Sequence, residues 1–93
     1  MNEFTIHHNP DAGRFETEVD GHRCELNYRL SDNVVSMDRV FVPGPVEGRG
    51  IAGELTRHAL DHAREQNWRV AARCPYVAAW IQRHPDYADL LAN

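Results

Sequence analysis

The residues best suited to chemistry in this 93-residue chain fall in two short stretches. In the first, "PGPVEGRGIAGEL" (43–55), Gly48, Gly50 and Gly53 stand where an apolar-periodic segment begins. Glycine weakens helices, so three of them at a helix start call for a reason beyond packing. The first amides of a helix lack intrahelical partners and sit at its positive dipole end. With no side chains at 48 and 50, a pyrophosphate can approach those amides closely, and Arg49 between them offers charge to a phosphate. The same spacing also suits a strand-to-helix turn that needs positive φ, and the pattern alone leaves both readings open. It is not a P-loop, because no Gly-Lys-Ser/Thr follows, and a meander before it is wrong for a dinucleotide fingerprint.

The second stretch is "CPYVAAWIQRHPDYADLL" (74–91). Cys74 ends a strand and directly precedes Pro75, a favoured first residue of a helix. A helix N-terminus favours negative charge, which suits a thiol acting as nucleophile or proton relay; a free cysteine is also a common small core residue. Tyr76 and Tyr87 carry hydroxyls able to protonate a leaving thiolate, and rings able to pack with Trp80 and Leu90. His84 reads as a cap of the second helix. His58 and His62 lie one helical turn apart, but no HExxH or cysteine pair accompanies them, so no metal site is expected. His7, His8 and His22 fall on strands without ligand spacing, and Cys24 reads as core.

The first 42 residues read as strands. "EFTIHH" (3–8) precedes the turn-like "NPDAG", and "RFETEV" (14–19) alternates Phe15, Thr17 and Val19 with charge. Asp20-Gly21 is a hairpin signal, after which Cys24, Leu26, Tyr28 and Leu30 fall on one face. Ser31-Asp32-Asn33 turns the chain again. The fourth strand, "VVSMDRVFV" (34–42), changes phase: Val35 and Met37 share one face, Val40 and Val42 the other. A bulge near Asp38-Arg39 explains the slip, as does a strand buried on both faces. From Gly50 to about Gln66 the period becomes helical, with Ile51, Leu55, Ala59 and Ala63 every fourth residue. "WRVAARC" (68–74) reads as a strand, Pro75 to about Arg83 as a second helix, and "DYADLLA" as a short turn or helix. The fold class is therefore α+β: a four-stranded antiparallel meander, a crossover helix, a fifth strand parallel to the fourth, a second helix and a C-terminal turn.

Length suits one domain, residues 1–93, with 42% apolar residues and both tryptophans available for a core. A net charge of −4 argues against a nucleic-acid platform, although all ten basic residues are arginine. The opening "MNEFTIHHNP" lacks the apolar core of a signal peptide, and no run approaches a membrane span. With two cysteines, a reduced cytoplasmic protein without a Cys24–Cys74 bridge is expected.

Val42-Pro43 followed by Gly48-Arg49-Gly50-Ile51-Ala52 and Leu55 resembles the acyl-CoA-binding segment of the GNAT superfamily of N-acetyltransferases. The Cys-Pro-Tyr and His-Pro-acid-Tyr of residues 74–87 resemble its small, single-domain branch. The resemblance implies that amides of 48–53 (Gly48, Arg49, Gly50, Ile51, Ala52 and Gly53) hold the CoA pyrophosphate. It also implies that Val40, Phe41 and Val42 pair with the pantetheine arm, and that Cys74 lies near the thioester. Two positions depart from the pattern: Pro45 stands where Gln or Arg is preferred, and Arg39-Val40 where relatives carry His-Thr. The histidine's role therefore does not carry over.

The expectation is an acetyl-CoA-dependent N-acetyltransferase with an unidentified amine acceptor, no metal and no membrane partner. The glycine loop would hold the thioester, and an amide near Phe41 would polarise its carbonyl. Cys74 is the candidate for the proton steps or for accepting the acyl group. The alternative is a CoA-binding module without turnover. Oligomeric state is not legible.

Overall fold

Two tight turns set the meander. Asp20 (φ 51°) with Gly21 (φ 79°), and Asp32 (φ 51°) with Asn33 (φ 65°), put both central residues in the left-handed region, the turn that matches strand twist. In this computed structural model, which describes residues 4–92, they join β2 (Arg14–Val19), β3 (His22–Ser31) and β4 (Val34–Phe41). A short β1 (His7–Asn9) pairs with β2, and α1 (Ile51–Glu65) carries the chain over to β5 (Arg69–Ala72). The strand order is β1-β2-β3-β4-β5, antiparallel except for the parallel β4–β5 pair. α2 (Pro75–Arg83) and a 3₁₀ segment, Pro85–Leu90, follow.

Alternation decides the layers. Phe15, Thr17 and Val19 of β2, Cys24, Leu26 and Tyr28 of β3, and Val35 and Met37 of β4 are all buried. Against this face α1 sets Ile51, Leu55, Ala59, Leu60 and Ala63, and α2 adds Val77, Trp80 and Ile81 to the same core. The other face of the meander carries the charged partners, such as Arg14 with Glu16 and Arg29 with Asp38. Thr56, fully buried, satisfies its hydroxyl by donating to the Ala52 carbonyl at 2.8 Å. Past the end of α1 the chain turns at Asn67 (φ 60°): Trp68 N–H reaches the Ala63 carbonyl at 2.9 Å and Asn67 N–H the Arg64 carbonyl at 3.2 Å. This is a left-handed cap with asparagine in the usual glycine position.

Several ends differ from the sequence pattern. β1 begins at His7 and not at residue 3; Phe4–Ile6 precede the strand, and Glu3 lies outside the described residues. β4 ends at Phe41, one residue short of Val42. β5 stops at Ala72: Arg73 N–H makes the last ladder bond, to the Met37 carbonyl at 3.1 Å, Cys74 N–H shares that acceptor at 2.9 Å, and Pro75, next in the alternation, has no N–H to give. Beyond the 3₁₀ segment, Leu91 forms a parallel bridge with Val70, and Ala92 N–H donates to the Val70 carbonyl at 2.8 Å. Leu91 and Ala92 thus cover the outer edge of β5 at Val70. Among the described residues no helix is long and apolar enough to cross a membrane.

His8 ties β1 to the rest. Its ring stacks on Phe15 at 4.2 Å, meets His62 edge-on at 4.5 Å, and places Nε2 2.6 Å from the Tyr28 hydroxyl. Burial, and secondarily the neighbouring His62, push its pKa below the ordinary 6.5. A histidine depressed in the folded state binds its proton more readily when unfolded. Its contribution is therefore complete above about pH 6.5 and is lost as pH falls from there to the folded value. The urea midpoint should drop between about pH 7.5 and pH 5 in the parent and drop less in His8→Phe, which keeps the stacking but cannot titrate. Parallel pH profiles for the two proteins would show that His8 contributes nothing to the acid sensitivity.

Candidate active site

The cleft begins at a bulge. Across the β3–β4 ladder Tyr28 pairs with Met37 and Asn27 with Arg39, so Asp38 is an extra residue. Before it Val35 and Met37 face the core; after it Val40, opposite Leu26, takes the core side, and Phe41, opposite Glu25, takes the other. The phase slip in the sequence is this bulge. The β4–β5 ladder runs from Val34↔Arg69 to Met37↔Ala72 and stops there. Among the described residues none pairs with β4 beyond the bulge on that edge, and the chain past β5 turns away into α2.

A cavity of about 560 Å³ opens at this divergence. Val40, Phe41 and Val42 line one side; Glu47, Gly48 and Gly50 line the loop; Ile51, Ala52 and Gly53 supply the first turn of α1; and Tyr76 closes it from α2. No side chain caps α1, and its first internal bond is Glu54 N–H to the Gly50 carbonyl at 3.1 Å. Three amides at the positive end of a 15-residue helix thus lack helix partners beside the cavity. A larger depression of about 820 Å³ lies along β1 and β2, lined by residues such as Thr5, His7 and Glu16. Thr17 and Glu18, where β2 runs past its pairing with β1, also line it, but no residue of a helix does.

The turn sets two of the three glycines. Gly48 and Gly50 have φ of +83° and +79°, where other residues are strained, and nothing lies within 4 Å of where a Cβ would stand. The turn needs them, and the space above them is open as well. Gly53 is helical; a Cβ there would lie 3.5 Å from Trp80 Nε1 and 3.6 Å from the Tyr76 hydroxyl. Both are ordinary contact distances, so α2 lies against the start of α1 with room for a methyl group there, and Tyr76 stands at the cavity wall. Tyr76 is 40% exposed, and burial, opposed by the smaller field of Arg83, raises its phenol pKa. The hydroxyl is thus held in its proton-donating form.

Of the residues singled out from sequence, nine line this one cavity: Val40, Phe41, Val42, Gly48, Gly50, Ile51, Ala52, Gly53 and Tyr76. Arg49 does not; its guanidinium lies 2.9 Å from the Asp20 carboxylate in the β2–β3 turn. Cys74 does not line it either. Its side chain is buried, 6% exposed, at the point where β4 and β5 part. His84 caps α2, with Nδ1 2.7 Å from the Trp80 carbonyl and its ring stacked on Trp80. Tyr87 donates to Asp61 at 2.8 Å, outside the cleft. Among the described residues no group of three or more His, Cys, Asp or Glu could hold a metal ion. Glu47 escaped the sequence reading, since a carboxylate in a Gly/Pro-rich loop looks like ordinary solvated charge.

Comparison with known proteins agrees with this arrangement. The family described as GCN5-related N-acetyl-transferase matches residues 14–90. The relatives include Protein NATD1 of Bos taurus, 28% identical over 83 residues, covering 86% of this chain and 74% of that protein. Protein NATD1 of Mus musculus is 26% identical over 83 residues, covering 86% of this chain and 76% of that protein. The solution structure of a GCN5-like protein from Staphylococcus aureus superposes with a TM-score of 0.76 at 24% identity, covering all of this chain and 92% of that one. It shares the fold. With a splayed β4–β5 pair, a bulged β4, a glycine-opened α1 and a family match across most of its length, the chain belongs to the GCN5-related N-acetyltransferases.

Proposed function

We propose that this protein transfers an acetyl group from acetyl-CoA to an amine, with the cleft between β4, the start of α1 and α2 as its cosubstrate site. One observation carries the reading: a strand edge released from its partner and an uncapped helix N-terminus meet in a single cavity. A pyrophosphate needs converging amides at positive potential, and a pantetheine arm, with its two amides, needs an extended backbone to pair with. Gly48, Gly50, Ile51, Ala52 and Gly53 meet the first need, and Val40, Phe41 and Val42 the second. Arg49 joins them by exchanging Asp20 for a phosphate, a cheap exchange for an exposed ion pair.

The thioester supplies an activated acyl carbon. A β4 amide near Phe41 is assigned to the carbonyl oxygen as negative charge develops there. The neutral amine nitrogen forms its bond to that carbon as the carbon–sulfur bond breaks; the departing sulfur takes a proton, and the one that the nitrogen sheds returns through solvent to the group that donated it. Tyr76 is placed to give it, being protonated and at the cavity wall. Cys74 enters as a proton relay at the vertex of the splay and not as the acyl acceptor, since its side chain is buried away from the cavity lining. That burial, with no histidine in the lining, also favours the second reading, a CoA-binding module without turnover. Both cysteines are free thiols, in keeping with a cytoplasmic setting.

Thermal melting tests the cosubstrate. A ligand that binds only the folded chain adds about 2.7 kcal/mol at 100 times its dissociation constant. For a domain of this size that is a rise of roughly 10–20 °C. An unchanged melting temperature at millimolar acetyl-CoA and CoA would sink both readings.

A further inference from the structure

Asp38 is the residue that the bulge inserts, unpaired across the β3–β4 ladder between Met37 and Arg39. An extra residue bends its strand and re-aims everything after it, so long as something holds the bulge in one shape. The Asp38 carboxylate is so held. Oδ2 accepts from Arg29 Nε at 2.7 Å; Oδ1 accepts from Ser36 Oγ at 2.5 Å and from Arg29 Nη2 at 3.3 Å. Arg29 stands directly opposite Ser36 on β3. One carboxylate thereby ties the bulge both to its own strand, two residues back, and to the neighbouring strand. The Arg73 guanidinium, just past the end of β5, attracts it from the far side of the splay.

We infer that Asp38 is a positioning residue for the acyl-CoA cleft: the Arg29–Asp38–Ser36 brace fixes the bulge that directs residues 40–42 along the cavity. The inference rests on the acetyl-CoA reading above. Both carboxylate oxygens already accept bonds, one of them doubly, so this group is a brace and not a base. The Arg29 side chain is 72% exposed, and exposed ion pairs contribute little to global stability. Loss of the brace should accordingly show in the cleft and barely in the melting temperature.

The test compares Asp38→Ala, Arg29→Ala and the double variant with the parent, by acetyl-CoA titration and by amide hydrogen exchange without ligand. Displacing binding groups by about 1 Å can cost about 10²-fold. Each single variant should melt close to the parent, bind acetyl-CoA about 10- to 100-fold more weakly, and exchange the amides of 39–42 faster by about tenfold. The double variant should be no worse than either single one, because the two residues act as a unit. Variants that bind as tightly as the parent overturn the inference. So does slower or equal exchange at 39–42, a result that counts even where the parent itself binds no acetyl-CoA. A parent without binding overturns the acetyl-CoA reading alone. Should Asp38→Ala fail to fold, Arg29→Ala keeps the test, since it removes only an exposed partner.

Discussion

Ala52→Glu should leave the unliganded protein as stable as its parent, or slightly more so, and abolish its response to acetyl-CoA. Ala52 is the second residue of α1 and lines the cavity. A carboxylate in a first helical turn interacts favourably with the helix dipole, typically by about 0.3–1 kcal/mol. The same carboxylate beside a pyrophosphate at about 4 Å would be repelled by about 4 kcal/mol per charge pair at an effective dielectric near 20, close to a thousandfold in Kd. Opposite signs for fold and ligand separate binding from damage. Valine at position 48 or 50 is a poorer probe, because φ of +83° and +79° strains any side chain there. Ala52→Gln controls for size and should bind within about tenfold of the parent. If Ala52→Glu keeps the full thermal shift, phosphate does not sit at this helix end.

What could be read in advance was what short-range pattern encodes. The change of phase between Met37 and Val40 is a local signal, and the bulge lies within it. Asp20-Gly21 and Asp32-Asn33 announce their turns through the few residues that tolerate positive φ. Eight of the nine predicted cosubstrate residues share one cavity because they belong to two contiguous runs joined by a short loop. The ninth, Arg49, pairs with Asp20, a contact across the fold that no spacing within the loop reveals. The early end of β5 is local in part, since Pro75 has no N–H for the next ladder bond, while the capture of the Cys74 amide by the Met37 carbonyl on β4 is a contact that spacing does not reveal. Tyr76 and Trp80 of α2 lie at ordinary contact distance from where a Cβ of Gly53 would stand, a neighbourhood that the loop's own sequence does not reveal.

Tyr76→Phe should bind acetyl-CoA like the parent and transfer its acetyl group far more slowly. General acid help is worth about 10²- to 10⁴-fold, and the variant removes only an oxygen from a wall that otherwise keeps its shape. The phenol pKa is raised from its ordinary 10.0, so the donor form persists through that pH and Tyr76 imposes no alkaline loss of rate below it. Cys74 can be tested in the same experiment, because the chain has no lysine. Acetyl groups acquired by the protein itself then fall chiefly on the N-terminal amine and the two thiols. With Cys74 only 6% exposed, exposure to acetyl-CoA should leave no hydroxylamine-labile adduct. The relay assignment requires Cys74→Ala to lose transfer by a factor comparable to Tyr76→Phe, again with affinity intact. A parent-like rate in Cys74→Ala makes the thiol a packing group and leaves Tyr76 as the donor. A labile adduct that Cys74→Ala loses and Cys24→Ala keeps would instead make Cys74 the acyl acceptor. A parent that binds acetyl-CoA yet acetylates nothing in a broad panel of amines turns the cleft into a sensing site, in which Tyr76→Phe changes neither rate nor affinity.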